Sequence, residues 1–168
     1  MSRPAALDDL LLYRLSRLLG VAGSMVIRLC EGRFGITRRE WRILALLAQD
    51  EGLLSSQLAE RAQLDRARTS KAITSLVDKK LLLREPRPDD RRQAALTLSG
   101  EGRALVQALF PLVVRINQEL LAVLPETGVA QLDDALDRLQ RHADELVAQA
   151  ELPKADRRRG GRVPRAMG

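Results

Sequence analysis

Arg66, Arg68, Thr69, Ser70 and Lys71 lie within one six-residue stretch, and Asp90-Arg91-Arg92 follows about twenty residues later. Side chains of these types recognise rather than react. The planar fork of arginine matches a guanine edge or a phosphate, and a threonine or serine hydroxyl bonds bases or phosphates. No arrangement of groups that would make or break bonds stands out in the sequence. It holds one histidine, His142, and one cysteine, Cys30. It has no run with metal-ligand spacing and no Gly-rich phosphate loop, so no catalytic constellation, metal or cofactor is expected.

Charge is placed to suit the same chemistry. The 168-residue chain carries a formal net charge of +6. Residues 61–92 hold ten Lys/Arg against five Asp/Glu, whereas residues 93–150 hold four against eight. A cationic segment of this kind displaces counterions from a phosphate backbone, so double-stranded DNA is the expected partner. The basic tail, residues 151–168, is poor in apolar residues and is expected to be disordered. It either adds phosphate attraction or serves solubility.

The elements that must position these residues run from Ser55 to Leu98. Ser55–Ala62 reads as a short helix, Gln63-Leu64 as a turn, and Asp65 as the N-cap of a second helix from Arg66 to about Lys79. Leu58, Ala59 and Ala62 face Leu64, Ile73, Leu76 and Val77, with small residues where two backbones must approach. Exposed polar groups then gather in the N-terminal half of the second helix, as a recognition helix requires. Leu81–Glu85 and Ala94–Leu98 read as strands around the charged tip Pro86–Arg92. The outline is a winged helix-turn-helix.

Leu7 to about Cys30 is expected to be one helix with apolar residues on nearly every side. That pattern requires burial beyond its own domain, most economically against a second subunit. A stripe of Arg14, Arg17, Ser24, Arg28 and Glu31 interrupts it. These arginines are either paired with acids or form an anchor for an anionic ligand. Thr37 and Glu40 have capping-box spacing, opening a helix to about Ala48. Its Trp41 is a core anchor or the wall of a ligand pocket. Ser99 is the expected cap of a helix running to about Leu124, kinked near Pro111. A final helix carries Val129, Leu132, Leu136, Leu139, Ala143, Leu146 and Ala150 as a helix–helix seam, with Asp134–Arg138 and Asp137–Arg141 pairs outside it. No uncharged apolar run is long enough to span a membrane and no signal-peptide pattern is present, so no membrane partner and a cytoplasmic location are expected.

Several of these strings resemble the MarR (multiple antibiotic resistance regulator) family of bacterial transcription factors. The resemblance is carried by Leu58-Ala59-Glu60-Arg61, Leu64-Asp65 and Leu76-Val77-Asp78-Lys79. It is most specific at Arg84, Pro88-Asp89-Asp90-Arg91-Arg92 and Leu96-Thr97-Leu98-Ser99-Gly100-Glu101-Gly102, and it covers roughly residues 7–150. It implies a mostly α fold with a small β-wing (α+β), built as a winged helix-turn-helix with N- and C-terminal dimerisation helices. The dimerisation region would be residues 1–36 and 99–150, and the DNA-reading domain residues 37–98.

By the same resemblance Arg92 enters the minor groove, braced by Asp90 beside Arg91, and Arg66, Arg68, Thr69, Ser70 and Lys71 contact DNA. It further implies a homodimeric repressor released from a pseudo-palindromic operator by a small aromatic acid or phenolic effector. Arg17 is then the first choice for the effector's carboxylate, with Tyr13, Ser24, Arg28 and Trp41 as lining. Alternatives are a redox-responsive repressor acting through Cys30 and a non-specific architectural DNA binder. Two positions depart from the family pattern. Lys80 stands where glycine is usual after the recognition helix. Leu54 stands where a threonine cap is usual, so capping is expected to shift to Ser55.

Overall fold

Three helices of the central region begin where a side chain satisfies one of their first N–H groups. Thr37 Oγ1 accepts from the Glu40 N–H at 3.1 Å, and Glu40 Oε2 accepts from the Thr37 N–H at 2.6 Å. This reciprocal box opens α2, Arg38–Gln49. Asp65 Oδ1 accepts from the Arg68 N–H at 2.8 Å and opens α4, Arg66–Asp78. Ser99 Oγ accepts from the Gly102 N–H at 2.9 Å and opens α5, Gly100–Leu121. Between α2 and α4 lies the short α3, Ser55–Arg61. Its cap is Leu54 rather than Ser55: a leucine side chain has no acceptor, and the Gln57 carboxamide reaches back to take the Leu54 N–H at 2.8 Å.

The computed structural model of the chain describes residues 4–86 and 94–151. At the N-terminus the long helix starts later than its leucines suggest. Leu7–Asp9 is a 3-10 turn, and α1 spans Leu11–Arg33. The Asp9 carboxylate draws in the Ala5 and Ala6 N–H groups at 3.0 Å each, closing the turn locally before the helix begins. Gly35, at φ 64°, then reverses the chain into α2.

Strands β1, Leu82–Pro86, and β2, Ala94–Leu98, pair antiparallel with Leu82 opposite Leu98 and Pro86 opposite Ala94. The loop before α3 adds a bridge between Leu53 and Leu96. Buried Leu44, Leu47, Leu58, Ile73, Leu76, Leu82, Leu96 and Leu109 form one core under α2, α3, α4, α5 and the ribbon. Gly102 has a specific packing role. A Cβ there would stand 2.1 Å from the Leu81 carbonyl oxygen, so only glycine lets the start of α5 approach the ribbon.

Helix α5 continues through Pro111. It is the one described helix long and apolar enough to cross a membrane by length and composition. It nonetheless carries Arg115 and Glu119, and it buries Val106 and Leu109 in the core. Residues 1–123 form one compact unit and residues 124–168 a second. The described part of the second contains α6, Glu126–Gln149, none of whose residues is buried. On its surface Asp134 and Arg138 pair at 3.5 Å, His142 and Glu145 at 3.3 Å, and Asp137 and Arg141 do not pair.

Candidate nucleic-acid interface

Helices α3 and α4 are locked into one reading module by their turn. Gln63 adopts φ 50°, and the Leu64 N–H returns to the Ala59 carbonyl at 3.0 Å. Arg42, from α2, donates to the Ala62 carbonyl at 2.8 Å and so caps the open end of α3. Leu58 and Ala59 of α3 and Ile73 and Leu76 of α4 are buried. The second helix can therefore present only its opposite side.

That side carries Arg66, Ser70 and Thr74 at successive turns, with Ala67 and Lys71 beside them, all exposed. Arg68 is also exposed, but its Nε sits 3.0 Å from Asp65 Oδ2, so the cap residue partly holds it. Thr69 requires a correction. Its side chain is fully buried, and its hydroxyl donates to the Asp65 carbonyl at 3.0 Å. Position 69 falls on the same buried face of the helix as Ile73 and Leu76, beside the outward stripe rather than on it, which removes it from the exposed set. Thr74 is the residue that the reading from sequence missed. It lies four residues beyond Ser70, and following the helical period one turn further would have found it. Asp90, Arg91 and Arg92, between the two strands, lie outside the described residues, as do residues 152–168 of the tail.

The far end of α4 is fixed with equal care. The Leu81 N–H bonds the Leu76 carbonyl and the Lys80 N–H bonds the Val77 carbonyl, both at 2.9 Å. This is a Schellman closure with Lys80 at the left-handed position, φ 59°. Ser99 Oγ donates to the Lys80 carbonyl at 2.6 Å, tying the same turn to the start of α5. Lys79 Nζ donates to both oxygens of Glu40, at 3.1 and 3.0 Å, and to the Gly35 carbonyl at 2.9 Å. Glu40 is only 3% exposed. Burial alone would push its carboxyl up. Hydrogen bonds from the Ser75 hydroxyl, the Thr37 N–H and Lys79 outweigh that effect and hold it below the ordinary glutamate value.

The candidate effector residues are only partly brought together. Arg17 stacks over the Tyr13 ring at 5.9 Å and pairs with Asp8 at 2.7 Å. With Arg14, Leu18 and Val21 it lines an open concavity of about 300 Å³. The Ser24 hydroxyl donates to its own helix at Val21, and Arg28 is exposed further along α1. Trp41 is turned into the core, its ring 6.3 Å from that of Phe110.

A buried-face helix pair, an outward polar stripe bearing Arg66 and Lys71 and an antiparallel ribbon at the helix end together describe a winged-helix reader. Comparison with known proteins agrees. Residues 34–93 match the sequence profile of the MarR family. A putative transcriptional regulatory protein for the hcr operon of Thauera aromatica is 30% identical over 114 residues, covering 68% of this chain and 69% of that protein. The chain belongs to the MarR family. A MarR/EmrR regulator from Acinetobacter sp. ADP1 superposes with a TM-score of 0.77 at 22% identity, over 83% of this chain and 99% of that one. PcaV of Streptomyces coelicolor, solved in complex with its natural ligand, shares the fold at a TM-score of 0.68 and 24% identity, over 84% and 99%. As a MarR protein the chain is a DNA-binding transcriptional regulator, and its family and fold are those of regulators rather than enzymes. The mostly helical architecture with one small antiparallel ribbon is the winged-helix form of that family.

Proposed function

We propose that the protein is a homodimeric repressor, cytoplasmic, that reads a pseudo-palindromic operator and is released from it by a small aromatic acid or phenol. The observation that carries the reading is the outward stripe of α4. Arg66, Ser70 and Lys71 stand exposed on a helix whose other side is buried and whose two ends are capped. Such a helix enters a major groove with its N-terminal half foremost. Arg68 contributes beside Asp65, and Arg91 and Arg92 extend the contact from the wing, with Asp90 bracing Arg92.

Residues 37–98 are the DNA-reading domain and residues 1–36 and 99–150 the dimerisation region. Exposed leucines along α1 and α6 support that division. Arg17 and Tyr13 are the first contacts for an effector carboxylate and ring, whereas Ser24, Arg28 and Trp41 are not gathered with them. That PcaV, a protein of this fold, was solved with a natural ligand supports a small-molecule effector. Cys30 argues for ligand rather than redox control. It is fully buried, and burial, reinforced by Glu31, pushes its thiol up, opposite to the low value of a redox sensor.

Footprinting on the DNA upstream of the protein's own gene, with and without benzoate- and phenol-class compounds, tests the reading. The expected result is a two-fold symmetric footprint that one such compound erases. Arg17→Ala should keep the footprint and lose the response. Binding to unrelated duplexes within a few-fold of the best site would replace the repressor by an architectural binder.

A further inference from the structure

Arg84 lies in β1, two residues before Pro86, where the described part of the ribbon ends. Strand side chains alternate faces, so Arg84 shares the side of Leu82, which is buried in the core. Leu83 and Glu85 take the other side, where Glu85 meets the Thr97 hydroxyl. The inner position aims Arg84 at α4. There its Nη2 donates to the Thr74 hydroxyl at 3.2 Å.

Two features bear on what this arginine can hold. Arg61, Arg68 and Arg103 of the same unit each face a carboxylate, at Asp50, Asp65 and Glu51 respectively. Among the described residues Arg84 faces none, and its one bond there, to a neutral hydroxyl, leaves most of its N–H donors available to another partner. Its partner, moreover, is the last member of the outward stripe that begins with Arg66 and Ser70. The guanidinium therefore sits where the reading helix and the ribbon meet, about 7 Å from the described end of the ribbon. When a helix occupies one groove and a wing reaches the next, the sugar–phosphate backbone runs across that junction.

We infer that Arg84, aimed by Thr74, contacts a backbone phosphate between the groove read by α4 and the groove reached by the wing. The contact deepens the DNA-interface reading above and rests on it. It is sequence-independent, since a phosphate carries no base identity, and it fixes the helix and the wing on one stretch of backbone. Arginine suits the task because it can hold the threonine with one N–H while its remaining edge takes a phosphate oxygen pair.

The test measures affinity at several salt concentrations for two duplexes, the one footprinted upstream of the gene and a mixed-sequence control. Arg84→Met should weaken both equally, on the order of tenfold. It should also make the slope of log affinity against log salt shallower by about 0.9, the loss of one phosphate contact. Arg84→Lys should keep the wild-type slope with a smaller loss, and Thr74→Val should lower both affinities a few-fold without changing the slope. A loss of affinity with unchanged slope in Arg84→Met would make the residue structural only and overturn the assignment, as would a loss confined to the footprinted duplex. If Arg66→Ala and Lys71→Ala weaken binding while Arg84→Met does not, the interface stands and this contact falls. If the wild-type protein binds neither duplex, the interface itself falls and the contact with it.

Discussion

Glu40 opens α2 by accepting the Thr37 N–H, and with the same carboxylate it receives Lys79 from the end of the reading helix. The sign of its contribution follows from its depressed pKa. Its charged form is favoured in the folded protein, so it adds stability above the unfolded glutamate value of about 4.3. That contribution disappears as pH falls through the lower folded value. Glu40→Gln keeps the size and one acceptor but gives up the charge and the second oxygen that Lys79 and the Thr37 N–H share. Because Lys79 is about a third exposed, solvent tempers the loss, and a destabilisation of about 1–3 kcal/mol at pH 7 is expected. Urea unfolding at pH 7 and again near pH 3 checks this. The difference between wild type and variant should narrow in acid, and a difference that stays constant would show that the charge of Glu40 does not stabilise the fold.

Among the elements, the turn after α4 bears a backbone conformation that its residue does not favour. Lys80 completes the Schellman closure at φ 59°, where a β-carbon crowds the neighbouring carbonyl. Glycine would relieve that crowding, though it would also gain freedom in the unfolded chain. Lys80→Gly should therefore raise stability by up to about 1 kcal/mol, seen as a higher urea midpoint with unchanged m-value. A lower midpoint would mean that the lysine stem packs favourably enough to outweigh the strain. This turn also marks how far the sequence can be read. Thr37, Asp65 and Ser99 were legible as caps because their side chains bond backbone only a few residues away, and a lysine at a glycine position was legible as an anomaly. Leu54 was not legible as a cap, because the group that satisfies it belongs to Gln57. The 3-10 turn at Leu7–Asp9 escaped for a related reason, since Asp9 reads as an ordinary polar residue until its bonds to Ala5 and Ala6 are seen. Arg84 and Thr74 are farther apart in sequence, and only the register of β1 against β2 and the placement of α4 bring them together. In the candidate site, the polar residues at the start of α4 marked the outward face, but the resemblance carried Thr69 onto it, one residue too far around the helix.

At the scale of the molecule, the apolar surface left uncovered has to be accounted for. Leu12 and Val21 of α1 are 80% and 77% exposed, and α6 leaves Leu132, Leu136, Leu139 and Leu146 in contact with solvent. Isolated exposed leucines are ordinary, but a helix-length seam spaced by threes and fours is a surface made for another helix. In the proposed homodimer a second copy of the chain would cover it, which would also supply the two reading helices that two-fold symmetric half-sites require. The particle in solution should then have twice the 18.7 kDa mass of one chain, as light scattering after size exclusion will report. Leu136→Glu combined with Leu139→Glu places two charges in the middle of the α6 seam and should yield monomers. Unit 1, whose core contains neither residue, should keep its unfolding transition. Each monomer still carries a complete outward stripe on α4, so it should retain weak, salt-sensitive binding to any duplex. Affinity for the operator should drop by roughly a hundredfold or more, since the second half-site contact is no longer intramolecular. Monomers that bind the operator as tightly as wild type would show that one reading helix and wing suffice. A dimer that survives both substitutions would place the interface elsewhere than the α6 seam.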